Sequence, residues 1–171
     1  FKKVLKQATR DKIFKANPAA DVSISKKESI KKDVLTIEEL QLLQNTPLTS
    51  AEVKRAFLMS CYTGVRWVDA IKLKWGNVDL RNNRISFEQS KTGNKVEIEI
   101  HPSVIKLLGE PKAKNDLLFK LPSHTACLKN LRYWAKQAGI NKHITFHCAR
   151  HTYASNLLFF GADLNTVRDL M

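Results

Sequence analysis

RISFEQSKTGNKVEIEI, residues 84–100, is where this chain changes its period. Ile85 and Phe87 alternate with polar neighbours, as do Val96, Ile98 and Ile100, and a period of two places each set on one face of a strand. QSKTGN lies between the two runs, with Gly93-Asn94 as a turn signal, so the stretch reads as an antiparallel hairpin. Val78 to Leu80, closed by Asn82-Asn83, adds a short third strand. On both sides of this sheet the spacing is helical.

Before the sheet, Thr36 and Glu39 stand at capping-box spacing, and Ala51 to Tyr62 forms a helix that buries Val53, Phe57 and Cys61. After it, Ser123 caps a segment that buries Leu128, Leu131, Trp134 and Ala138 and ends at Gly139. Thr145 caps FHCARHTYASNLLFF, stopped by Gly161, and Asp163 caps LNTVRDLM. The expected fold is α+β and mostly helical, with a small antiparallel sheet packed among helices. FKKVLKQATRDKIFKANP spaces Val4, Leu5, Ala8 and Ile13 as a helix that stops near Asn17-Pro18. Residues 18–33 lack a core pattern and carry Lys26, Lys27, Lys31 and Lys32. The expected organisation is therefore a helix at 1–17, a basic linker at 18–33 and a main domain at 34–171.

A chain of 171 residues, 43% hydrophobic and 26% charged, holds one good-sized core. It has no apolar run of the roughly 18 residues needed to span a bilayer, and no apolar signal segment at its start. Cys61, Cys127 and Cys148 lack CxxC spacing and read as thiols of a reduced, cytoplasmic protein. Lys and Arg total 29 against 16 acids, a net charge of +13, and the pI is near 9.8. Residues 1–32 hold ten basic and three acidic residues, a net +7. Such an excess points to a polyanionic partner, most often nucleic acid. The competing reading is a lysine-rich surface that keeps the protein soluble.

Four residues stand at element ends: Arg66 at a helix junction, Lys91 beside the hairpin turn, and His147 and Arg150 in the first turns of one helix. Together they suit a phosphodiester. Two arginines bind its oxygens with forked, charge-assisted bonds and stabilise the added charge of a pentacoordinate transition state. A lysine donates a proton to a leaving oxygen, and a histidine exchanges protons near neutrality. Each has a plainer reading. Asp69 offers Arg66 a structural ion pair, Lys91 is a solvated lysine with Lys95 as a rival, and His147 and His151 share the i, i+4 spacing of a helical metal pair. With no third ligand close by and no carboxylate cluster for Mg²⁺, no metal is expected. No cofactor is called for.

TGVR, SKTG and HCARHT in this order, followed by GADLNTVRDLM, resemble the tyrosine recombinase (phage integrase) family. ATRDKIFKANPAADV resembles the end of that family's core-binding domain, and VLTIEEL the opening of its catalytic domain. TGVRWVDAIKLKW is most similar to integrases of bacterial mobile elements. The resemblance implies a tyrosine that attacks the scissile phosphate, a 3′-phosphotyrosine intermediate and strand exchange without metal or ATP. By motif match Arg66 and Arg150 hold the phosphate, Lys91 is the general acid for the 5′-oxygen, and His147 assists proton transfer. Asp69 matches an acidic position that orients Arg66. The lysines at 26, 27, 31 and 32 track the DNA backbone.

The implied partner is double-stranded DNA at a recombination site, with self-association to a tetramer in the full-length protein and a bacterial cytoplasmic, nucleoid-associated location. The family's Gly-His or Gly-Trp motif and its tyrosine are expected beyond Met171. Tyr62, Tyr133 and Tyr153 read as packing, so these 171 residues are expected not to cleave DNA. Two other readings share the fold: a DNA-binding regulator without catalysis, and a type IB topoisomerase.

Overall fold

The computed structural model describes residues 1–22 and 33–171. The chain divides into two compact units, Phe1–Lys31 and Lys32–Met171. In the first, α1 (Lys2–Arg10) has no buried residue. The helix was expected to run to Asn17-Pro18, but it stops seven residues earlier. Lys12 turns left-handed at φ 61°, and the Lys12 and Ile13 amides donate to the carbonyls of Thr9 and Ala8. That is a Schellman stop made without glycine.

In the second unit the core is built around α3 (Ala51–Thr63), which packs most extensively on α7 (Phe146–Phe159) and also meets α5 (Pro102–Leu108) and α6 (His124–Gln137). Val53 and every residue of α3 from Ala56 to Cys61 are buried. Phe57 meets Trp134 edge-on at 5.9 Å and Phe146 at 5.8 Å, the arrangement aromatic quadrupoles favour. Trp134 Nε1 donates to the Thr46 carbonyl at 3.0 Å. The capping box forms at α2 (Ile37–Asn45): Thr36 accepts from the Glu39 amide, and the Glu39 carboxylate accepts from the Thr36 amide. The Leu35 amide donates to Thr152 Oγ1 on α7 at 2.9 Å, which fixes the start of the domain to its core.

The sheet is β1 (Val78–Asp79), β2 (Arg84–Glu88) and β3 (Lys95–Glu99), antiparallel in that order. Ile85 faces Ile98 and Phe87 faces Val96, so the register keeps the apolar residues on one face. Gly93 donates to the Gln89 carbonyl and Gln89 to that of Asn94, closing the loop that carries Lys91. Ser123 caps α6, Thr145 caps α7 and Asp163 caps α8 (Leu164–Leu170), each side chain accepting from an amide of the first turn.

Three details depart from the sequence reading. α6 buries Cys127, Leu131, Trp134 and Ala135; its inward stripe is rotated by one residue, which leaves Leu128 and Ala138 half-buried. Tyr133 does not pack. It is 57% exposed, and its hydroxyl accepts from Gln137 at 3.0 Å. Helix α5 has no counterpart in the sequence reading. His101 caps it by accepting from the Ser103 amide, and Pro102 fills its first turn, a position that needs no amide donor.

Candidate functional site

The TGVR junction begins with Gly64, which ends α3 at φ 69°. A side chain here would be strained by that left-handed backbone, and its Cβ would lie 2.5 Å from Tyr153 Cδ1. The sharp exit turns Arg66 into the cap position of α4 (Trp67–Ala70). The Gly64 carbonyl accepts from Arg150 Nη1, so one junction positions both arginines.

Arg66, Lys91, His147 and Arg150 line a single open cleft of about 450 Å³, with Trp67, Val68, His124, Leu128, Thr145 and Phe146 as its walls. Arg150 is 7% exposed, and burial, with the neighbouring Arg66 charge second, draws its guanidinium down to about 10. It stays charged at neutral pH. Arg66 Nη2 donates to the Met171 carbonyl at 2.7 Å. Arg66 Nη1 and Arg150 Nη2 are buried with no hydrogen-bond partner among the described residues. Unpaired guanidinium donors are costly to bury unless an anion answers them, and both arginines line the cleft. His147 lies at the start of α7, whose amide dipoles favour negative charge. Its Nε2 is 2.9 Å from Nε2 of His151.

Asp69 departs from expectation. No ion pair joins it to Arg66 among the described residues. It is 3% exposed, and its Oδ1 accepts from the Ser90 amide at 2.8 Å. The Asp69 charge also acts on Arg150, whose guanidinium it holds toward the charged form. The linker lysines 26, 27, 31 and 32 lie outside the described residues. Sequence reasoning missed Trp67 and His124, whose rings meet at 5.1 Å on the cleft wall. The only local signals were that Trp67 adjoins Arg66 and His124 follows a cap.

A larger cavity of about 530 Å³ is lined by Tyr62, Tyr153, Leu40, Val104 and Phe160 among others. No arginine or lysine lines it. Burial pushes the Tyr62 and Tyr153 hydroxyls up. None of the three tyrosines lines the arginine cleft. Among the described residues no helix is long and apolar enough to cross a membrane, and no group of three or more His, Cys, Asp or Glu could hold a metal ion.

A mostly helical domain with a three-stranded sheet and an arginine-lined cleft is the catalytic fold of the tyrosine recombinases. The structure superposes on XerA recombinase with a TM-score of 0.69, at 24% identity over 89% of this chain and 58% of that one. On the Tn1549 transposon integrase in complex with circular intermediate DNA the TM-score is 0.72, at 17% identity over 99% of this chain and 67% of that one. Residues 33–171 match the phage integrase family, and the chain belongs to it. Tyrosine recombinase XerD of Listeria innocua is 29% identical over 91% of this chain and 59% of its own length. The integrase of Escherichia phage P2 is 23% identical over 92% of this chain and 44% of its own length. The chain thus spans about three-fifths or less of these two curated relatives.

Proposed function

We propose that this chain is the catalytic region of a site-specific DNA recombinase and that its cleft receives the scissile phosphate. The observation that carries this is the convergence of Arg66, Arg150, Lys91 and His147 on one cleft, with one guanidinium nitrogen of each arginine, Arg66 Nη1 and Arg150 Nη2, buried and unpartnered among the described residues. The arginines bind the non-bridging oxygens and offset the charge that grows on them. Lys91, on the hairpin loop, protonates the departing 5′-oxygen, and His147 shuttles a proton at the same phosphate. A tyrosine other than Tyr62, Tyr133 and Tyr153 supplies the nucleophile and carries the 3′-phosphotyrosine. No metal or ATP enters these steps.

The protein works in the cytoplasm on double-stranded DNA, as a tetramer when strands are exchanged. Integration and excision of a mobile element is the role that the likeness to a transposon integrase and a phage integrase supports. Incubating the 171-residue chain with a suicide duplex tests the reading. Binding that weakens with salt, and no covalent adduct, is the expected result. An adduct on Tyr62, Tyr133 or Tyr153, or no binding at low salt, overturns it.

A further inference from the structure

We propose that Lys72 is a positioning residue for Lys91, acting through the hydroxyl of Ser90. The inference rests on the reading of Lys91 as the acid for the 5′-oxygen and deepens it. Lys91 is exposed. The backbone bonds of its loop run from Gly93 to the Gln89 carbonyl and from Gln89 to that of Asn94, and neither involves Ser90 or Lys91. A long side chain on such a loop samples many positions, whereas proton donation needs the ammonium within hydrogen-bond reach of the leaving oxygen. Ser90 is the anchor. Its amide donates to Asp69 Oδ1 at 2.8 Å, and its Oγ accepts from Lys72 Nζ at 3.0 Å. A single bond leaves a residue free to pivot, but bonds to its amide and its hydroxyl together fix its orientation. Both grips come from one short stretch, because the amides of Lys72 and Leu73 donate to the Asp69 carbonyl. Leu73 is buried, and its carbonyl accepts from the Leu118 amide at 2.7 Å, so the backbone that carries Lys72 is tied to the core. Asp69, Lys72 and Ser90 line a small hollow of about 160 Å³, and Lys91 lines the arginine cleft. Neighbouring residues of one loop thus divide the work: Ser90 is held and Lys91 is presented to the phosphate. The stretch that holds Ser90 begins three residues after Arg66, so one segment sets both an arginine and the acid.

Single-turnover cleavage by a cleavage-competent recombinase containing this chain tests the proposal. Lys72→Met, which keeps an unbranched stem and removes the donor, should slow cleavage of ordinary DNA by about three- to tenfold, the worth of one hydrogen bond. On a substrate with sulfur at the 5′ bridging position, whose leaving group needs no proton, the same variant should match the wild type. A general loss of structure or of phosphate binding would slow both substrates alike. Ser90→Ala should equal Lys72→Met, and the double variant should be no slower than either. Lys72→Arg, which keeps a donor, should restore the rate. In the 171-residue chain, Lys72→Met should speed hydrogen exchange at the Ser90 amide by a similar factor and leave duplex affinity unchanged. Wild-type cleavage by Lys72→Met, equal slowing on both substrates, additive effects, or a salt slope reduced by one phosphate contact overturns the proposal. Unaltered exchange at Ser90 overturns it whether or not Lys91 is the acid. A Lys91→Ala defect that sulfur does not rescue would instead remove the acid reading, which exchange at Ser90 does not test.

Discussion

Asp69 Oδ1 accepts a 2.8 Å hydrogen bond from the Ser90 amide, and so ties the helix that follows Arg66 to the loop that carries Lys91. Lys91 is exposed, and its loop is closed by few backbone bonds. The buried carboxylate fixes the residue just before it. Asp69→Ala should destabilise the domain by about 1.5–3 kcal/mol, the usual worth of a hydrogen bond to a charged group, and speed hydrogen exchange at Ser90. Asp69→Asn keeps an oxygen in place and should recover most of that loss. Unaltered exchange at Ser90 in Asp69→Ala would show that the loop is held by something else.

Arg66→Lys and Arg150→Lys, in a cleavage-competent recombinase containing this chain, should each slow strand cleavage by about 10²–10³, with duplex affinity nearly unchanged. Lysine keeps the charge and loses the fork. Arg150→Lys should also unfold more easily, because it abandons the Gly64 carbonyl. Single-turnover cleavage and thermal melting separate the two effects, and wild-type cleavage in either variant ends the assignment.

Lys91→Ala should block cleavage of ordinary DNA in the same protein. A substrate with sulfur at the 5′ bridging position, whose thiolate leaves without a proton, should restore it. Equal defects on both substrates mean that Lys91 is not the acid.

Gly64→Ala should lower the melting temperature substantially. The left-handed backbone alone costs an alanine about 1–2 kcal/mol, and its Cβ meets the Tyr153 ring at 2.5 Å. Combining it with Tyr153→Ala should relieve the collision but not the backbone strain. Full recovery in the double variant would place the whole cost in the collision.

DNA affinity of the 171-residue chain should fall with salt along a log–log slope near −0.9 per phosphate contacted. Changing Lys26, Lys27, Lys31 and Lys32 to Gln should flatten that slope without altering sequence preference. An unchanged slope removes these lysines from the DNA interface.

What the sequence determined by itself was whatever is written over a few neighbouring residues. The Thr36–Glu39 box and the Ser123, Thr145 and Asp163 caps join residues two or three apart, and the hairpin is spelled by alternation on either side of one turn. Motif order carried the identities of Arg66, Lys91, His147 and Arg150. Helix α5 escaped notice because seven residues are too few for a helical period to show. The end of α1 was misplaced because a left-handed lysine makes no mark on the pattern. Only the tertiary structure brought the four site residues to one cleft, gave the Gly64 carbonyl to Arg150 across 86 residues, and paired Asp69 with Ser90 across 21. The physical reason is range. Caps and periodicity are satisfied within one turn or one strand, whereas the partner of a buried charge is chosen by how whole elements pack, and packing is settled by the core around α3.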